Sequence, residues 1–236
     1  MKKLFFIAVA VLALFSCKKN NLPDTDGLSV TVGVRDVTDW SATMEGRARA
    51  LSWWHGKRCG FLVSAGKAPT WEDRDRLVEA STHDFPCEYS VTVNGLLPET
   101  TYYYRAVTWY NDGYQMGDTK EFRTKAVEAS ITTEDGVLIG MAEKRIKMRA
   151  HLNYDKINAG VPINVWFYFI ESDYVGQLES EYAKNTCSLG QDGYFELEKA
   201  GIESYKKYFF KPAAEINGKV FYGPTKSYDT PDLYAD

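Results

Sequence analysis

Polar and apolar residues alternate in short stretches along most of this chain. Residues 28–34, 41–48, 59–64, 89–93, 102–109 and 120–124 are alternating or continuously apolar, and Gly, Pro, Asn and Asp break the chain between them. Alternation with period 2 sends every second side chain to one face, the pattern of a half-buried strand. No long segment repeats at 3.6 residues. Many short strands with turn residues between them predict an all-β antiparallel sandwich.

The N-terminus departs from this pattern. After Lys2 and Lys3, residues 4–16 carry no charge. Thirteen residues fall short of the roughly 20 that cross about 30 Å of hydrocarbon. A basic start, a short apolar run and an abrupt polar switch at Lys18 have the layout of a signal peptide. The next feature, Leu14-Phe15-Ser16-Cys17, resembles the bacterial lipobox. That resemblance implies cleavage before Cys17, diacylglycerol on its sulfur and an acyl chain such as palmitate on its amine. Several acyl chains, at about 0.8 kcal/mol per buried CH₂, hold a protein stably to a bilayer where one chain is marginal. The resemblance therefore predicts a lipid-anchored outer-membrane protein, on the periplasmic or cell-surface face. Residues 18–27 are polar, with Pro and Gly, and read as a tether reaching at most about 35 Å.

A shift of 106 positions aligns the two halves of the remainder. Tyr102-Tyr103-Tyr104-Arg105 falls on Tyr208-Phe209-Phe210-Lys211, Gly117 on Gly223, Phe122 on Tyr228 and Thr124 on Thr230. Gly95-Leu96 falls on Gly201-Ile202 and Phe61 on Phe167, while Ala42, Met44 and Gly46 fall on Met148, Ala150 and Leu152. The expected organisation is a signal peptide over 1–16, lipidated Cys17 and tether over 17–27, a domain over 28–125, its divergent copy over 126–230, and a tail over 231–236.

The run Leu96-Leu97-Pro98-Glu99-Thr100-Thr101-Tyr102 resembles the L-x-P-x-T-x-Y signature of fibronectin type III domains. The resemblance implies two tandem fibronectin III/Ig-like sandwiches, with Tyr102 as a corner tyrosine bonded to nearby backbone. Residues 29–124 resemble the fibronectin-III-like repeats of lipoproteins from Gram-negative gut-type bacteria. In the second copy Ser204 and Lys206 replace Pro and Thr, and Tyr208 is kept. Asn217-Gly218 is placed to turn a hairpin, since Gly suits the positive φ such turns need.

Charge narrows the partners. The whole chain is −4; residues 27–125 hold 12 basic and 13 acidic groups, and residues 126–236 hold 12 and 17. Neither half has the basic excess of a nucleic-acid binder. Removing Cys17 from the four cysteines leaves Cys59, Cys87 and Cys187, an odd number that cannot all pair internally. The sequence leaves open whether Cys59 and Cys87 pair.

Catalytic signatures are missing. His55, His83 and His151 stand apart, with no HExxH spacing, no G-x-S-x-G and no phosphate-cradling loop. Acidic neighbours such as Glu72-Asp73 and Glu134-Asp135 read as solvated charge. No catalytic residue, metal site or cofactor is expected.

Aromatic residues make up 14% of the chain, and one group of them falls on loops. Trp53, Trp54 and His55 lie in the expected B–C loop, and Tyr110 and Tyr114 in the expected F–G loop, at the same end of a sandwich. Adjacent Trp residues cannot both point inward from one strand. These five are the candidate ligand-binding residues, for a glycan or a protein. Trp40 and Trp166 read as packing residues. The alternative reading is a spacer or assembly subunit of an outer-membrane complex with no small ligand.

Overall fold

The computed structural model describes residues 29–49, 58–81, 85–110, 113–140 and 144–234. Contacts divide the chain into two compact units, Met1–Ala126 and Val127–Asp236. Cys17 and the segment bearing Trp53, Trp54 and His55 lie outside the described residues.

The first unit contains β1 (Ser29–Arg35), β2 (Ser41–Ala48), β3 (Arg58–Ala65), a 3-10 segment (Trp71–Arg76), β4 (Leu77–Ala80), β5 (Cys87–Asn94), β6 (Thr101–Tyr110), β7 (Gly113–Met116) and β8 (Lys120–Arg123). One sheet runs β1-β2-β5, and the other β4-β3-β6-β7 with β8 also on β6. The pairs are antiparallel throughout. A three-stranded sheet facing a five-stranded one, in which β7 and β8 both pair with β6, is the fibronectin III-like sandwich the sequence predicts.

Alternation builds the core. Ala42 and Met44 of β2, with Tyr89, Val91 and Val93 of β5, meet Phe61 and Val63 of β3 and Tyr102, Tyr104 and Ala106 of β6 in one buried cluster. The Tyr89 hydroxyl crosses between sheets and donates to the Gly60 carbonyl at 3.0 Å. Gly46 makes room for that ring, since a Cβ there would sit 2.8 Å from it. Cys59 and Cys87 are both buried in this core, and no disulfide links them.

The second unit contains β9 (Ser130–Thr133), β10 (Val137–Leu138), β11 (Arg145–Asn153), β12 (Ile163–Glu171), a 3-10 segment (Ser172–Gln177), β13 (Lys184–Cys187), β14 (Tyr194–Ala200), β15 (Lys207–Ile216), β16 (Lys219–Tyr222) and β17 (Lys226–Asp229). Its sheets run β10-β11-β14, with β9 on β11, and β13-β12-β15-β16, with β17 on β15. Ile146, Met148, Ala150 and Leu152 line β11 inward and are fully buried, with Phe167, Phe195 and Phe210. Phe167 and Phe195 meet with ring centroids 5.2 Å apart. The hairpin between β15 and β16 turns on Asn217 and Gly218, both with positive φ.

The corners of the two units repeat one another bond for bond. The Leu97 amide donates to the Tyr102 hydroxyl, and the Glu203 amide to the Tyr208 hydroxyl, each at 2.9 Å. The Thr124 hydroxyl donates to the Leu97 carbonyl and accepts from the Thr100 amide; Thr230 does the same with Glu203 and Lys206. Glu99 and Tyr205 both take positive φ, as do Gly95 and Gly201. Every one of these pairs is 106 residues apart.

The first-sheet strands differ from that register. Ser41 pairs with Asn94, and Arg145 with Ala200. Asn94 and Ala200 are 106 apart, so Ser41 and Arg145, 104 apart, are the true equivalents. Ala42, Met44 and Gly46 therefore match Ile146, Met148 and Ala150, not Met148, Ala150 and Leu152. A two-residue offset preserves the period-2 pattern, so the ungapped alignment looked satisfactory while naming the wrong partners.

The described residues past Thr230 stay docked. Leu233 is buried and its amide donates to the Ser204 hydroxyl at 2.9 Å.

Candidate binding site

Register fixes what shares the outer face of the β4-β3-β6-β7 sheet. Phe61 of β3 and Tyr104 of β6 point into the core. Residues of opposite parity, Arg58 on β3 and Trp109 on β6, therefore point outward. Arg58 is the register partner of Trp109, and Trp109 of Tyr114. In the neighbouring row Glu79 of β4 lies opposite Gly60, and Gly60 opposite Val107. The Arg58 and Glu79 side chains form an ion pair at 3.6 Å, with both about half exposed.

Trp71, in the 3-10 segment after β3, folds over this face. Its ring stacks on Tyr114 with centroids 4.5 Å apart and planes 17° from parallel. It meets Trp109 at 6.3 Å with a 52° tilt. Tyr114 remains 38% exposed, and Trp71 and Trp109 are only partly buried. The result is a pre-stacked aromatic surface with an ion pair beside it.

Sequence reasoning named Tyr114 and missed its two partners. It placed Tyr110 and Tyr114 in a loop, whereas Tyr110 ends β6 and Tyr114 lies within β7. Tyr110 is the register partner of Gly113, so only two residues separate the strands. A connection that short leaves no loop for either tyrosine to occupy. Trp109 carried a usable signal, because inward Tyr102 and Tyr104 oblige position 109 to face out. Trp71 gave none, because its contact depends on how a connection folds back.

The same face of the second unit is filled at its centre by a buried cluster. Trp166 stands at the position equivalent to Gly60, and it packs with Tyr168, Leu178, Ala183 and Ala213 in a buried cluster. Lys184 lies over the Trp166 ring at 4.5 Å. At the positions of Trp109 and Tyr114 the second unit has Glu215 and Val220. Tyr222 at its edge is stacked against Tyr168 at 6.5 Å, has Lys211 over its ring at 4.6 Å, and is 48% exposed.

Elsewhere, several charged groups pair with one another. On the outer face of β11 and β14, Arg145 pairs with Glu198 at 3.4 Å, Lys147 with Glu196 at 2.6 Å, and Arg149 with Glu196 at 3.1 Å. Glu134 and Asp135 hold Arg149 at 3.7 Å and Lys226 at 2.8 Å. His151 is bonded through Nε2 to the Asp192 carbonyl at 3.0 Å and lies 4.5 Å from the Tyr194 ring. Among the described residues no group of three or more His, Cys, Asp or Glu could hold a metal ion, and no helix is long and apolar enough to cross a membrane.

No protein-family model matches this chain, and no curated protein matches it. Among solved structures, it is similar to the sensor domain of the anti-sigma factor RsgI4 of Pseudobacteroides cellulosolvens. The short form of that domain is 20% identical over 42% of this chain and 94% of that one, with a TM-score of 0.32. The chicken CNTN1 FN1–FN3 domains are 14% identical over 88% of this chain and 67% of that one, also with a TM-score of 0.32. These similarities are low, and the all-β, fibronectin-like character of the chain rests on its own strand order and corner hydrogen bonds.

Proposed function

We propose that this chain is a lipid-anchored protein of the bacterial outer membrane with a non-catalytic binding role, its ligand held at the aromatic face of the first unit. The observation that carries the binding role is the contrast between the copies. Both units have the same corners and threonine clasps, yet the centre of the face is filled by buried Trp166 in the second, where Glu215 and Val220 stand at its edge, while the first carries a stacked Trp71–Tyr114 surface beside Trp109. A scaffold role alone requires no such difference. Trp53, Trp54 and His55 belong to the same reading, because their segment joins β3 at Arg58, the register partner of Trp109. The anchor rests on residues 14–17 and on the apolar run before them.

The ligand is a glycan or a protein. The duplicated scaffold also suits a spacer or assembly subunit, and the two readings part on binding. The anchor is tested in the producing cells by labelling with an alkynyl fatty acid. Label in the membrane fraction that disappears with Cys17→Ala is expected, and an unlabelled, soluble wild-type chain overturns the anchor. For the binding role, the detergent-solubilised chain should retain a glycan or a protein, and Trp71→Ala with Tyr114→Ala should release it. A stoichiometric protein partner that both variants keep favours the spacer.

A further inference from the structure

The two units act as a control for each other, since whatever the shared scaffold needs, both have. The tyrosine corners and the clasps of Thr124 and Thr230 recur 106 residues apart with hydrogen-bond lengths within 0.1 Å. Trp109 and Tyr114 do not recur. Their equivalents Glu215 and Val220 occupy the same register positions, Trp109 opposite Arg58 matching Glu215 opposite Asn164. The strands fold without the aromatic rings, so the rings serve something other than the strands.

The chemistry around the rings selects among ligands. Tyr114 is backed by Trp71 at 4.5 Å and is 38% exposed, so it offers a held ring face at small entropic cost. Arg58, on the same face, can only donate hydrogen bonds, and its partner Glu79, when ionised, can only accept them. A ligand hydroxyl does both, accepting from the guanidinium and donating to the carboxylate. A proline-rich peptide has apolar rings to stack but few N–H or O–H groups for Glu79. The ion pair itself is neutral in sum, which favours an uncharged ligand. Apolar C–H groups on one side and several hydroxyls at the rim describe a sugar ring.

From this we infer that Trp71, Trp109 and Tyr114, flanked by Arg58 and Glu79, form a binding face for the pyranose units of a neutral polysaccharide. This rests on the binding role proposed above and names its ligand class. Stacking on the rings supplies affinity, and the ion pair supplies orientation through the hydroxyls.

The test uses affinity electrophoresis of the detergent-solubilised full chain through gels holding neutral plant and microbial polysaccharides. The variants are those the second unit already tolerates, Tyr114→Val and Trp109→Glu, with Trp71→Ala beside them and Tyr182→Ala as a surface control. Thermal unfolding checks that each is folded. Retardation by at least one neutral polysaccharide, reduced tenfold or more in apparent affinity by Tyr114→Val and unchanged by Tyr182→Ala, is the expected result. Retardation unaffected by all three ring variants overturns the site and leaves the binding role standing. No retardation, with a protein or proline-rich peptide bound instead and lost on Tyr114→Val, overturns the sugar class alone. No retention of any ligand overturns this inference and the binding role together.

Discussion

The Tyr102 hydroxyl accepts a hydrogen bond from the Leu97 amide at 2.9 Å, closing the corner between β5 and β6 across five residues of chain. Tyr208 closes the second unit on Glu203 in the same way. Replacing either Tyr by Phe leaves a partly buried amide without its acceptor, which costs about 1–3 kcal/mol. Tyr102→Phe and Tyr208→Phe should each lower unfolding free energy by a similar amount in denaturant titration. A loss in only one unit means the two corners are not energetically equivalent.

Gly117 and Gly66 should respond differently to the same change. A Cβ on Gly117 would lie 2.8 Å from the Thr31 backbone nitrogen, so Gly117→Ala must push β1 away. Overpacking of that kind costs roughly 1–3 kcal/mol. Gly66 has φ of +76° and nothing within 4 Å, so Gly66→Ala meets only backbone strain, about 1–2 kcal/mol. Adding Thr31→Ala, which removes the hydroxyl 2.7 Å from that Cβ and leaves the backbone nitrogen, should rescue little; full rescue would shift the conflict to the threonine side chain.

Alkaline stability follows from the buried tyrosines. Burial pushes the Tyr89 hydroxyl well above the ordinary value of 10.0 and the Tyr104 hydroxyl up to about 12. Burial raises Tyr102 as well. These groups ionise more easily in the unfolded chain. Their contribution is full below pH 10 and is lost as pH rises through the folded values. The melting temperature should fall steeply between about pH 10 and 12, with a cooperative rise in tyrosinate absorbance at unfolding. A melting temperature that stays level across that window refutes the burial argument.

The charged lattice on β11 and β14 should matter little. Glu196 holds Lys147 at 2.6 Å and Arg149 at 3.1 Å, yet all three side chains are more than a third exposed. Exposed pairs contribute about 0–1 kcal/mol and weaken with salt. Glu196→Gln should cost under about 1 kcal/mol, and the cost should vanish in molar salt. A larger, salt-insensitive loss would mark this face as part of a buried interface.

Much of the scaffold is legible in the sequence. The expected strand 41–48 is β2 as found, and 102–109 lies within β6. Period-2 alternation and turn residues are local, so they can be read from one segment at a time. The binding face was only partly legible. Tyr114 was named, but its stacking partner Trp71 comes from a connection 43 residues earlier. That contact depends on how the chain after β3 folds back over the sheet, and no local pattern encodes it. Register failed for a related reason, since an even-numbered slip leaves alternation intact.

The offset between the copies has a practical meaning. Between Ala48 and Arg58 the first unit has nine residues, and between the equivalent Leu152 and Asn164 the second has eleven. The same crossing thus accommodates two connection lengths, and both hydrogen-bonded ladders beside it form with either. For anyone needing to place an epitope or a fluorophore in this protein, the exposed turn at residues 158–160, between β11 and β12, is the natural address.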